Sequence, residues 1–335
     1  MAGASQQDAA GTHALDSALV LAGDEAFALG LAVALYSALE HLPPELRPWI
    51  CVLDNGLSES SVARLRKMVG RLGRGDQLQF FEPPSERLED LPRHSRFTPA
   101  TYSRLLIPEL LPATVRRVVY LDADVLVRRD MSALFELELG EAVIAAAPDL
   151  FIGDVSHLLT DTSDRMAADA ALRRRYFNSG VLLIDVPRWR AAGLTDAVVR
   201  YALSRQEMLP FVDQDALNVV IDRYHELERV WNVQPLNLDL ARRRIITDQD
   251  GYRQDRELYR HARVLHFIGP KPWDHRCETR GAVPWARTLL RSRWYGRREA
   301  ARWLAAWLGR RAARRPRVAR ERWIARLGAL RRSLR

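Results

Sequence analysis

The chain has 335 residues, 47% of them apolar and 28% charged, and a formal net charge of +9. That apolar content excludes a wholly disordered chain and suffices for a core domain of about 250 residues with an appendage. Its two cysteines, Cys51 and Cys277, lack the paired spacing of a metal knuckle or a secreted disulfide framework, so a reducing cytoplasm is the expected compartment.

Residues 1–14 show neither the basic start nor the long apolar run of a secretory signal, and read as a disordered lead-in to a domain over 15–285. Ala18–Ala22 is the first of several short apolar runs that fit buried strands. The others are Ile50–Leu53, Leu78–Phe81, Val118–Leu121, Val143–Ala147, Val181–Ile184 and Val264–Phe267. Helical patterns fall between them: Leu29–Leu42 stops at Pro43-Pro44, a helix capped by Ser58 runs toward Gly73, and Tyr102–Leu110 follows Thr98-Pro99. The longest apolar stretch, Ala26–Tyr36, falls short of the roughly 20 residues that span a bilayer, so a soluble or peripheral protein is expected. The alternation predicts an α/β fold, a mostly parallel central sheet with flanking helices, which binds ligands outside the carboxyl ends of its strands. No GxGxxG follows the first strand and no GxxxxGK[ST] occurs, which argues against a dinucleotide dehydrogenase or a P-loop enzyme.

The run Arg117-Val118-Val119-Tyr120-Leu121-Asp122-Ala123-Asp124 is an apolar strand ending in two carboxylates one residue apart. In extended backbone, residues i and i+2 project to one side, so both can converge on one ion. Hard carboxylate oxygens suit Mg²⁺ or Mn²⁺, ions that bridge substrate phosphates. Alone, Asp-x-Asp is more often an ordinary strand-end turn.

Further segments stand around it in a telling order: LVLAGDEAF, TYSRLLIPELLP, VVYLDADVLV, APDLF, YFNSGVLLID, DQDALN, WNVQP and HFIGPKPW. Together, over roughly 17–285, they resemble family 8 of the retaining glycosyltransferases, which includes glycogenin and the bacterial lipopolysaccharide α-galactosyl and α-glucosyl transferases. The resemblance implies a GT-A type nucleotide-diphospho-sugar transferase that moves galactose or glucose from a UDP-sugar to a glycan or glycolipid acceptor. It also implies a metal held by Asp122, Asp124 and His266, and the imidazole favours Mn²⁺ over Mg²⁺. Asp24 would accept the uracil N3–H and Phe27 would stack on the base, although Asp24 equally suits the cap of the helix that follows. Arg104 would pair with phosphate or sugar oxygens. Asp149 and Asn178 resemble the residues that bind donor sugar hydroxyls, and Asp213-Gln214 the pair beside the anomeric carbon. Asn178-Ser179-Gly180 also fits a plain turn before a strand. Gly269 and Lys271 belong to the segment that meets the departing phosphate. Here that segment reads HxxGPKPW, one residue shorter than the family's usual HxxGxxKPW. The polar stretch Leu150–Tyr176 is expected to fold over the donor.

From Arg287 to Arg335 stand seventeen arginines and two glutamates, so a basic tail of +15 hangs on a body of −6. Trp303, Leu304, Trp307 and Leu308 recur at helical spacing, as do Trp323, Ile324, Leu327 and Leu330 after Pro316. The 286–335 segment therefore reads as a basic amphipathic tail, suited either to an anionic membrane surface on the inner face of the cell membrane or to packing on the body. A nucleic-acid-binding protein and a metal-dependent nucleotide-sugar phosphoesterase are the rival readings. The first is disfavoured because the charge is confined to the tail, and no nucleic-acid partner is expected.

Overall fold

The computed structural model describes residues 16–91, 99–158, 173–205, 209–236, 238, 249–274, 277 and 279–313. The 1–14 lead-in, most of the stretch expected to cover the donor, and the Trp323 to Leu330 set lie outside them. In chain order come β1 (Ser17–Gly23), α1 (Ala28–Glu40), β2 (Trp49–Asp54), α2 (Glu59–Arg71), β3 (Leu78–Phe81), α3 (Ile107–Leu110), β4 (Arg117–Leu121), β5 (Val125–Val127), α4 (Ser132–Glu136) and β6 (Ile144–Pro148). There follow β7 (Phe177–Asp185), α5 (Val186–Ala191), α6 (Leu194–Ser204), α7 (Val212–Val220), β8 (His225–Glu226), α8 (Gln249–His261), β9 (Val264–His266), α9 (Ala282–Arg291) and α10 (Arg297–Ala313).

Seven strands form one sheet in the order β3-β2-β1-β4-β7-β6-β8, and only β7 runs against the rest. The first strand is buried at all its positions, because helices cover both faces of the sheet. Leu19 and Leu21 point into a core shared with α1, α2, α9 and α10. Ala18 and Val20 point the other way, into a core with Tyr102, Leu105 and Trp189. The expected caps form as well: Ser58 Oγ accepts the Ser61 N–H at 3.2 Å and starts α2, which buries Leu65, Met68 and Val69.

Strand order reverses between β1 and β4, and the crevice outside their carboxyl ends is where such sheets bind ligands. A two-stranded ribbon, β5 with β9, lies next to that crevice and pairs Val125 with His266. The antiparallel β7 begins where its neighbour β4 ends, so its first residues stand at the same edge.

Two expectations change. Asn178, Ser179 and Gly180 are not a turn; they lie inside β7, which starts at Phe177. The helix expected over Tyr102–Leu110 is a 3₁₀ segment, Pro99–Leu106, followed by the short α3, whose Pro108 lacks the N–H that a continuing helix would use. Helix α9 runs through 285/286.

The first amphipathic set of the tail packs on the body. Trp307 is 2% exposed and donates its indole N–H to the Pro272 carbonyl at 2.9 Å, while Leu304 and Leu308 are also buried. Trp303 stacks on Trp307 and faces Trp285, with ring centroids 5.8 and 6.2 Å away. Arg311 donates to the Cys277 carbonyl, and Arg64 of α2 pairs with Glu299 at 3.2 Å. An apolar stripe covered in this way contributes roughly 1.5–3 kcal/mol per large side chain. Among the described residues, no helix is long and apolar enough to cross a membrane.

Candidate active site

Asp122 and Asp124 follow β4 at the crevice, and His266 ends β9. One potential ligand atom from each lies within 4.8 Å of the others. His266 Nε2 stands 3.2 Å from Asp124 Oδ1 and 3.6 Å from Asp122 Oδ2. The remaining oxygens are already occupied. Asp122 Oδ1 accepts the Tyr120 hydroxyl at 2.8 Å and pairs with the Arg104 guanidinium at 2.9 Å. Asp124 Oδ2 takes the Lys271 ammonium at 2.5 Å.

A chain of amides fixes the imidazole. Asn178 Nδ2 donates to Asp149 Oδ2 at 2.9 Å, and Asn232 Nδ2 donates to Asn178 Oδ1 at 2.8 Å. That leaves Asn232 Oδ1 facing His266 Nδ1 at 3.0 Å, where it accepts the ring N–H. The Nε2 lone pair then points at the carboxylates, the arrangement in which a metal-ligating histidine is oriented by a hydrogen bond to its other nitrogen. Gly180 makes room for the ring: a Cβ there would lie 2.6 Å from His266 Nδ1 and 2.9 Å from Asp122 Oδ2. Three electron-rich atoms aimed at one another, each backed by its own partner, fit a divalent cation that accepts both carboxylate and imidazole.

The charges around this cluster are buried and paired. Burial by itself would raise the Asp124 pKa, but Lys271 and His266 beside it hold it well below the usual carboxylate range. Arg104 is 6% exposed and fully engaged: Asp122 at 2.9 Å, Asp213 at 3.0 Å, and Ser179 O at 2.8 Å. It lies over the Tyr120 ring at 4.8 Å. The arginine expected to meet substrate oxygens fixes two carboxylates. Burial pushes Asp213 up to about 7, with Arg104 opposing it and Asp122 adding to it. Just before it, Val212 holds a φ of 44°, a left-handed conformation that is strained for a β-branched residue and aims the start of α7 at the crevice.

Gln214 is tied into the same network, since its Oε1 accepts the Ser179 N–H at 3.0 Å and its Nε2 reaches the Tyr176 hydroxyl at 3.2 Å and Asp149 at 3.5 Å. Lys271 also donates to the Phe267 carbonyl at 2.8 Å, so the loop that is one residue short does bring its ammonium to the cluster. On the β1 side, Asp24 Oδ1 accepts the Phe27 N–H at 3.1 Å, the capping role. Phe27 stands 5.9 Å from the Lys271 ammonium and 5.5 Å from the Trp273 ring. Gly269 packs beside Leu236, where a Cβ would come within 3.3 Å of it.

Residues 18–277 match the family described as glycosyl transferase family 8. The chain belongs to that family. Among its relatives, general stress protein A of Bacillus subtilis (strain 168) is 29% identical over 76% of this chain and 87% of its own length. The lipopolysaccharide 1,3-galactosyltransferase of Salmonella typhimurium is 29% identical over 62% of this chain and 58% of its own. The lipopolysaccharide 1,2-glucosyltransferase of Escherichia coli (strain K12) is 32% identical over 46% and 44%. In three dimensions, the galactosyltransferase LgtC, solved in complex with donor and acceptor sugar analogs, superposes with a TM-score of 0.65 at 27% identity, over 82% of this chain and 95% of that one. The fold of this family 8 enzyme is therefore the GT-A type.

Every site residue expected from the sequence of this glycosyltransferase stands at the carboxyl-end edge of the sheet or in the segment that follows β9. What sequence reasoning missed are the supports: Tyr120, Tyr176, Ser179, Gly180, Asn232 and Trp273. Asn232 sat in view within WNVQP, but an asparagine after a tryptophan has no spacing signal of its own. It is placed by the parallel bridge between Val233 and Leu265. Gly30 carries a similar hidden reason, since a Cβ there would meet the Ala123 carbonyl and the Trp273 ring at 2.5 Å.

Proposed function

We propose that this enzyme transfers a hexose, galactose or glucose, from a UDP-sugar to a hydroxyl of a lipopolysaccharide or similar cell-surface glycan, with retention of configuration. The observation that carries the reading is the convergence of Asp122, Asp124 and His266 within 4.8 Å at the sheet's switch point, with Lys271 on the same carboxylate. A divalent ion held by these three residues, Mn²⁺ given the imidazole, supplies positive charge against the departing diphosphate. The relatives that are named as acting on lipopolysaccharide support the acceptor class.

The protein's own groups do the rest. The Lys271 ammonium, fixed by Asp124 and the Phe267 carbonyl, supplies a second positive charge to the leaving group. Asp149, Asn178 and Gln214 present a linked set of donors and acceptors that suits the hydroxyls of the donor sugar. Phe27, beside Lys271, offers a ring face to the base. Retention by double displacement would need an accessible carboxylate beneath the anomeric carbon. Asp213 is 2% exposed and held by Arg104, which supports attack by the acceptor on the same face that the diphosphate leaves. Trapping a glycosyl adduct on Asp213 would overturn that order of events.

The reading places the enzyme in the cytoplasm, peripheral on the inner face of the cell membrane and docked through the basic segment after α10, with no nucleic-acid partner. A screen of UDP-sugars for metal-dependent UDP release, with and without lipooligosaccharide fragments, tests it. Release that rises with acceptor is expected. Donor turnover that no glycan stimulates would leave a phosphoesterase, and thermal protection by DNA but not by UDP with Mn²⁺ would remove the enzyme reading altogether.

A further inference from the structure

A groove of about 1090 Å³ lies between α2 and the turn that joins α9 to α10, and none of the metal-site residues lines it. Six cations border it, Arg64, Lys67, Arg71, Arg291, Arg293 and Arg297, against one carboxylate, Glu299. Three of the six hold the fold together. Arg64 pairs with Glu299, Arg71 donates to the Arg293 carbonyl at 3.2 Å, and Arg291 pairs with Glu40 of α1. Lys67, Arg293 and Arg297 are exposed and take no partner among the described residues. Arg293 also holds a φ of 52°, a left-handed conformation that side-chain-bearing residues rarely adopt and that here turns the chain at the rim.

We propose that this groove is a second binding site, for a saccharide that carries phosphate groups. Like charges gathered without partners are unfavourable until an anion joins them, and guanidinium and ammonium groups converging from two elements match phosphate oxygens. The recess is concave and of a size that encloses a small ligand. A flat bilayer surface meets none of these features as well. Helix α10 starts at the groove, and its Trp307 touches Pro272, the neighbour of Lys271, so the groove and the catalytic end are about 15–20 Å apart along one helix. An extended phosphorylated acceptor of several sugars spans that distance. The choice of a saccharide as the phosphate carrier rests on the glycan-extending reading given above; the anion site itself does not.

The test is calorimetric titration of the full chain with a bisphosphorylated disaccharide, its unphosphorylated counterpart, inorganic phosphate and phosphatidylglycerol vesicles. The wild-type protein is compared with a Lys67→Gln, Arg293→Gly, Arg297→Gln variant and with Arg293→Gly alone. Glycine suits the left-handed position, so the single variant removes charge while relieving strain, and misfolding cannot account for its weakened binding. Expected is binding of the bisphosphorylated sugar that falls at least tenfold in the triple variant and measurably in the single one, with acceptor-free donor turnover unchanged in both. Equal binding by wild-type and triple variant overturns the proposal. So does inorganic phosphate that binds as tightly as the disaccharide, or capture by vesicles alone. Absence of donor turnover in the wild-type protein would sink the glycosyl-transfer reading while leaving this binding measurement intact.

Discussion

The crevice at the end of β4 and the helical region formed by α9 and α10 treat charge in opposite ways. In the crevice, Arg104, Asp122, Asp124, Asp213 and Lys271 are largely buried, and each has a named counter-charge within 3.0 Å. In the helical region, tryptophans fill the interior and most arginines stand outside, three of the groove's cations without partners among the described residues. Desolvated charges are tolerated only when paired, so the first region is a set of mutually dependent groups, whereas the second is an ordinary apolar contact with a cationic rim. The first should fail as a unit when one member is removed. The second should lose stability without losing chemistry.

The largest expected effect comes from Asp124→Ala. It removes a metal donor and the Lys271 partner together, so donor turnover should fall by about a thousandfold and thermal stabilisation by added Mn²⁺ should vanish. Retained Mn²⁺ stabilisation would break the contrast, because the carboxylate would then be no more than structural. Trp307→Ala empties a fully packed position and should cost about 3–5 kcal/mol in denaturant unfolding, with turnover per folded molecule unchanged. An unaltered midpoint would mean that the tryptophan does not pack on the body in solution.

Asn232→Ala releases the imidazole from its amide chain and should weaken Mn²⁺ affinity roughly 10–100-fold, as read by paramagnetic titration of the free protein. Wild-type affinity in this variant would show that Gly180 and Asp124 alone orient the ring. The smallest effect is on the pH dependence of stability. The folded pKa of Asp213, about 7, lies above its unfolded value, so the stability tied to its protonated form is complete in acid and is lost as pH rises through about 7. Asp213→Asn abolishes that loss, although it also removes the Arg104 pair. The stability advantage of wild type over variant should therefore shrink between pH 4.5 and 7.5, read as a narrowing gap between their melting temperatures. A constant gap would mean that Asp213 titrates normally.

Much of the fold was legible because apolar runs such as Ala18–Ala22 and Val118–Leu121 are buried on both faces and leave a signal in composition alone. The metal-capable group was legible from Asp-x-Asp and from the resemblance that tied His266 to it. Arg104 shows the limit. Its position was anticipated, but a guanidinium can meet a substrate anion or a protein carboxylate equally well, and its pairing with Asp213 on α7 comes only from the tertiary structure.

By itself the sequence determined the α/β architecture, because periodicity and local caps are properties of neighbouring residues, and its family resemblance pointed to the groups that gather at one edge of the sheet. Tertiary structure alone decided that Trp307 faces Pro272, that Asn232 holds His266, and that Lys67 and Arg293 border one groove. Each of these joins residues that lie tens or hundreds of positions apart in the chain, and a pattern read along the chain does not encode such contacts.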